Sequence, residues 1–109
     1  MKRIIRYILN FFFNIYKKNL NYFKIKKQIE VLRKKNLPIK LIIGAGETKQ
    51  SNWISTDKMN LNILNKSDFD KFFFKNEITN IIAEHVFEHL TLDEGLIAIK
   101  NFEEYLLKG

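Results

Sequence analysis

Apolar residues recur with two different periods along this chain. In the first part they fall at steps of three and four. Ile4, Ile8, Phe11, Phe12 and Ile15 make one stripe, and Tyr22, Ile25, Ile29 and Leu32 continue it. Such steps put side chains on one face of a helix. Asn36-Leu37-Pro38 closes the helical segment, because the residue before a proline is pushed out of helical geometry. Beyond Pro38 the apolar runs become short and β-branched. Ile39 to Ile43, between Pro38 and Gly44, predicts a buried strand. Trp53 to Thr56 predicts a second, and Ile78 to Ala83 is the clearest strand of all. Gly44 to Asn52 reads as a loop or a single helical turn. Ser67-Asp68-Phe69-Asp70 predicts a helix start with Ser67 as N-cap, running to about Phe74, with Phe69, Phe72 and Phe73 in the core. Thr91-Leu92-Asp93-Glu94 is a capping box. The helix it opens carries the stripe Leu92, Leu96, Ile99, Phe102 and Leu106, with Gly109 as its stop.

Charge divides the chain where the period changes. Residues 1–40 hold twelve Lys/Arg and a single acid, Glu30, whereas residues 41–109 hold seven Lys/Arg and eleven acids. A basic helical arm, residues 1–38, thus joins a mildly acidic body, residues 39–109. At 109 residues the chain is one domain at most. It has no cysteine, so it can form neither a disulfide nor a thiolate metal site. The basic start resembles a signal peptide, but Arg6, Asn10 and Asn14 interrupt the apolar run and no small-residue cleavage site follows. The run is also too short and too broken to span a bilayer. The arm has two readings. In one its helices pack on the body and the lysines are solvated. In the other, residues 1–35 lie as a basic aromatic helix on an anionic membrane. No recognised nucleic-acid module is present.

Two places carry candidate chemistry. Gly44-Ala45-Gly46 follows the first strand, and Asp57 ends the second. Strand, glycine turn, strand, carboxylate is how an open α/β sheet prepares a crevice for a nucleotide-like ligand. Glycine lets backbone approach the ligand, and a carboxylate can accept from two ribose hydroxyls. The full dinucleotide pattern G-x-G-x-x-G is missing, since neither Lys49 nor Gln50 is glycine, which disfavours a pyrophosphate ligand. The second place is Glu84-His85-Val86-Phe87-Glu88-His89. Its pairs repeat at a spacing of four, and His85 to His89 spells H-x-x-E-H, an inverted zinc-peptidase motif. On a helix the two imidazoles could bind zinc with Glu88 as base. A catalytic zinc needs a third protein ligand, and only a short, well-capped helix follows. The zinc hydrolase is therefore the least favoured reading, and no metal ligand is assigned.

Taken in order, these motifs resemble the N-terminal half of a class I S-adenosylmethionine-dependent methyltransferase. The likeness runs from about Lys40 to Gly109. It is closest to small bacterial predicted methyltransferases with an "AEHV-EHL" segment, here Ala83 to Leu90. The resemblance implies a partial Rossmann-like α/β sheet holding the family's first, second and fourth strands, with a short third near Asn62 to Leu64. It implies S-adenosylmethionine as cofactor. Gly44, Ala45 and Gly46 would lie at its amino-acid part, Asp57 at the ribose, Asp68 and Phe69 at the adenine, and Glu84 and His85 at the methionine moiety. The catalytic residues and the methyl acceptor stay open, with His85 or His89 as candidate bases. The family's last three strands have no counterpart here, so the reading is of a truncated transferase with its fourth strand as an exposed edge. The expected location is cytoplasmic, with peripheral contact at the inner face of the membrane. A non-enzymatic interaction module, working through the basic arm, is the alternative.

Overall fold

The computed structural model describes residues 2–46 and 48–108. It is a mixed α/β fold in which a long helix precedes a small parallel sheet. Helix α1, Lys2–Lys34, is one continuous rod of 33 residues. It contains no glycine or proline to interrupt it. Its end is a Schellman motif. Asn36 takes the left-handed conformation, φ 55°, the Leu37 N–H reaches the Leu32 carbonyl at 3.0 Å, and the Asn36 N–H reaches the Arg33 carbonyl at 3.1 Å. Pro38 then forbids any return to helix.

The two apolar stripes of α1 have different fates. Ile25, Ile29 and Leu32 are buried, and Tyr22 packs against the core beside Phe72. Ile4, Ile8, Phe11, Phe12 and Ile15 are exposed, as is every described residue from Lys2 to Leu20. The last third of α1 is thus part of the body's core. Arg33 locks it there. Its guanidinium makes two bonds to the Glu77 carboxylate, at 2.8 and 2.6 Å, and a third to the Phe72 carbonyl at 2.9 Å, while stacking over Phe74. This bidentate fork is the strong geometry for an ion pair, and the Glu77 bond raises the Arg33 pKa further.

The strands are β1 Ile39–Ile43, β2 Trp53–Thr56 and β3 Ile78–Ala83, in the order β2-β1-β3, all parallel. Alternation points Ile39, Leu41 and Ile43 at the helices and core. Lys40 points the other way, where its ammonium sits 5.6 Å from the centre of the Trp53 ring. The β1–β2 connection is only nine residues, 44–52, with no helix among those described. Parallel strands usually need a dozen or more residues to cross over. Among its described residues Gly44, Gly46 and Asn52 are left-handed, which sharpens the turns enough to do it in fewer. A register shift separates Ile39 from Lys40 opposite β3, and there the Thr79 hydroxyl donates to the Ile39 carbonyl at 3.0 Å.

Helix α2, Lys66–Phe72, starts two residues earlier than its sequence suggests. Asn65, not Ser67, is the N-cap, and its side chain accepts from the Ser67 N–H and hydroxyl. It ends at Phe72, because Phe73 is already extended. The short third strand expected near Asn62 to Leu64 is absent. Side chains take the backbone groups a ladder would need: the Asn62 N–H goes to Asp68 and the Leu64 N–H to the Asn62 amide oxygen.

Helix α3, Leu92–Tyr105, begins with the capping box expected at Thr91 and Glu94. Its inward face follows the expected stripe only at Phe102 and Leu106, which pack against the core half-buried. Leu92, Leu96 and Ile99 are exposed, Leu92 at 80%, while Ala98, Asn101 and Tyr105 are buried. Hydrogen bonds and stacking outweigh aliphatic content in choosing that face. The Asn101 amide donates to the buried Ile63 carbonyl at 2.8 Å, and Tyr105 stacks on Phe69 with 5.0 Å between ring centres. The Tyr105 hydroxyl donates to Asp70, and burial first, then that bond, pushes the phenol pKa well above its ordinary value. The helix ends at Tyr105, not at Gly109, which lies outside the described residues. Leu106 is extended, and the Leu107 N–H bonds the Ile78 carbonyl at 2.7 Å, starting a parallel bridge along β3.

Arg33→Met and Glu77→Gln should each lower the unfolding free energy by about 2 kcal/mol in urea titrations, because each strands a charged partner. The double variant should cost clearly less than the sum; full additivity would mean the fork is not coupled. The Thr91 N–H, and then the Thr91 side chain, hold the Glu94 pKa below 4.5. Its contribution is therefore complete above pH 4.5 and fades as pH falls through the lower folded value. Glu94→Gln keeps the box, so helix content at pH 7 should persist while the acid-side loss of stability, followed by circular dichroism, becomes shallower.

Candidate functional site

Register places the candidate residues side by side. Ile43 lies opposite both Thr56 and Ala83, so the three strands finish level. The next residue of each is Gly44, Asp57 and Glu84. Three of the positions singled out in the sequence therefore leave the sheet together at its carboxyl edge, where open α/β sheets bind ligands.

The turn above β1 is tightly specified. Gly44 has φ 63° and Gly46 has φ 59°, in the left-handed region that disfavours a side chain. A Cβ on Gly44 would also stand 3.0 Å from Val86 Cγ2, whereas one on Gly46 would meet nothing within 4 Å. The Ala45 N–H bonds the Thr56 carbonyl at 3.0 Å, and the buried Thr56 hydroxyl donates to the Ile42 carbonyl at 2.9 Å. The Gly46 N–H donates to Asp57 Oδ1 at 3.0 Å. Asp57 is exposed, so the turn orients this carboxylate without burying it.

Three cavities surround the turn. One of about 360 Å³ lies between α1 and the edge of β2, with Gly46 and Asp57 on one wall and Lys17, Asn21, Lys24 and Gln28 on the other. A second, about 310 Å³, is lined by Ile42, Gly44, Ala45, Ile82, Glu84 and His85. A third, about 290 Å³, lies between Gly44, the segment Leu61 to Leu64, and His85 with His89. Gly44 and His85 are common to the last two. The volumes sit near the lower end of the ~300–1,000 Å³ found for small-molecule sites.

Asp68 and Phe69 do not join this group. Phe69 is fully buried against Tyr105 and Phe102. Asp68 ties down the Asn62 N–H at 2.9 Å and lines a different depression, beside Lys18 and Tyr22 of α1. The Glu-His pairs do not form a helical face either. His85 is left-handed at φ 55°, and Phe87–His89 is a 3₁₀ turn, so the two imidazoles are not stacked one α-turn apart. His85 Nδ1 instead lies 3.1 Å from Glu88 Oε1, with both side chains well exposed. Among the described residues no group of three or more His, Cys, Asp or Glu is placed to hold a metal.

The sequence reading missed the wall supplied by α1. Its signal was legible: Arg3, Arg6, Asn10, Asn14, Lys17, Asn21, Lys24 and Gln28 follow one another at steps of three and four. That is a continuous polar stripe, and its second half faces the cavity beside Asp57. No family model, curated protein or solved structure matches the chain.

The two glycines separate by substitution. Gly46→Ala should cost about 1 kcal/mol, for its left-handed backbone alone. Gly44→Ala should cost more, about 2–3 kcal/mol, from backbone strain and the Val86 clash together. Val86→Ala in the Gly44→Ala background should recover part of the loss in urea titrations; no recovery would place the strain elsewhere.

Proposed function

We propose that this chain is a Rossmann-like methyltransferase module that binds S-adenosylmethionine at the carboxyl edge of β1 and β2. The observation that carries the reading is the Gly44-Ala45-Gly46 turn bonded through its last N–H to Asp57. A glycine turn and an exposed carboxylate, leaving adjacent parallel strands level with each other, form the pair of elements such a cofactor needs. The order β2-β1-β3 is consistent with the second, first and fourth strands of that fold.

The residues fit the group in part. Cβ space above Gly46 is open, so a ligand can approach the backbone there. Asp57 would accept from the ribose hydroxyls, and Glu84 and His85 would border the methionine moiety. Asp68 and Phe69 are committed to loop and core contacts, so adenine recognition falls to other residues. When bound, the cofactor supplies a methyl carbon on a positively charged sulfur, already activated toward a nucleophile. The chain's own contribution is positioning. The paired glycine turn and the Asp57 carboxylate fix one end of the ligand, which is how a bimolecular transfer becomes an oriented one. The acceptor is unassigned, and a cytoplasmic location goes with the proposal.

Isothermal titration with S-adenosylhomocysteine tests this directly. Asp57→Asn is the informative control, since its amide oxygen can still accept from Gly46 while the negative charge and one acceptor oxygen are lost. The wild-type chain should bind saturably, and the variant about tenfold or more weakly. A folded wild-type chain that gives no saturable heat would sink the proposal.

A further inference from the structure

We propose that residues 2–20 of α1 dock on an anionic lipid bilayer, lying in the plane of its interface. Four observations lead there. The helix meets the body only from Lys17 onward, where Lys17 lines the Asp57 cavity and the Lys18 carbonyl accepts from Asn60, and before that its apolar side chains have no cover: Tyr7 is 75% exposed, Ile4 65%, and Phe11, Phe12 and Phe13 more than half. The polar residues Arg3, Arg6, Asn10, Asn14 and Lys17 share one narrow stripe. At 3.6 residues per turn the remaining positions from Ile4 to Tyr16 are all apolar and cover roughly two thirds of the circumference. Finally, Lys2, Arg3, Arg6, Lys17 and Lys18 are cations in a stretch with no acid before Glu30.

The width of the apolar arc selects the occupant. A helix that packs on one neighbour buries a stripe of roughly 100° or a little more. A second copy or a single partner helix would leave half of this arc in water. A bilayer interface surrounds it, with the polar stripe turned to the headgroups. Basic charge on both flanks complements anionic lipid and repels another copy of the same segment. No helix of the described residues is long and apolar enough to cross a membrane, so the segment lies on the surface. The same polar stripe continues through Asn21, Lys24 and Gln28 into the cavity beside Asp57, so the cavity opens on the headgroup side of the helix.

Vesicle co-sedimentation of the full chain tests the assignment. Partition should be about a hundredfold stronger for phosphatidylcholine vesicles containing phosphatidylglycerol than for phosphatidylcholine alone. Phe11→Ser with Phe12→Ser should weaken binding at least about tenfold on both. These side chains are exposed and outside the core, so the fold should survive, checked by an unchanged urea midpoint. Arg3→Gln with Arg6→Gln should remove most of the preference for anionic lipid while leaving binding to neutral vesicles. Absence of vesicle binding, or binding indifferent to the phenylalanine pair, overturns the proposal. A doubled mass in sedimentation equilibrium that the phenylalanine substitutions abolish would assign the surface to a second copy and overturn it as well.

Discussion

The level finish of three parallel strands governs everything else on the functional side of this molecule. Because Ile43 faces Thr56 on one side and Ala83 on the other, a glycine turn, a carboxylate and an acid-histidine pair emerge next to each other. A shift of one residue in the β1–β2 pairing would turn the side chains of the slipped strand to the opposite face and separate Gly46 from Asp57. The buried Thr56 hydroxyl, bonded to the Ile42 carbonyl of the neighbouring strand, helps resist such a slip. So does Leu41, which is fully buried at the centre of the sheet.

A three-stranded sheet is a small platform, and the chain supports it from outside. Helix α1 contributes Ile25, Ile29 and Leu32 to the core and is clamped by the Arg33–Glu77 fork to the entry of β3. Helix α3 adds Asn101, bonded to the Ile63 carbonyl, and Tyr105, bonded to Asp70, and its end meets the entry of β3 at Ile78. The clamp does a second job. By fixing the end of α1, it fixes which side of that helix faces the Asp57 cavity. Stability and site geometry therefore share the same contact.

The strands were legible because their signal is local: short β-branched runs bounded by proline and glycine. The capping box at Thr91 was legible for the same reason, since its two bonds lie within four residues. What the sequence concealed depended on partners distant in the chain. The buried face of α3 is set by a carbonyl at Ile63 and an aromatic ring at Phe69, and neither shows in the helix's own aliphatic spacing. Asn65 displaced Ser67 as the cap of α2 because either residue type suits that role and only the preceding turn decides. Gly44, Asp57 and Glu84 were found as candidates from order along the chain, but the bond between Gly46 and Asp57 appears only in three dimensions. Asp68 and Phe69 were singled out by the same order, but Asp68 bonds the Asn62 N–H and Phe69 lies in the core.

The absence of any break in α1 has a mechanical consequence. A rod of 33 helical residues is about 50 Å long, and with no glycine or proline it has no swivel. Whatever holds the first half therefore sets the attitude of the second. The cavity beside Asp57 is rigidly indexed to the outer end of the rod, in height as well as in heading. Inserting a single residue between Tyr7 and Ile8, well outside the cavity wall, would turn the outer end of the rod by about 100° against the site while leaving the residues that line it untouched.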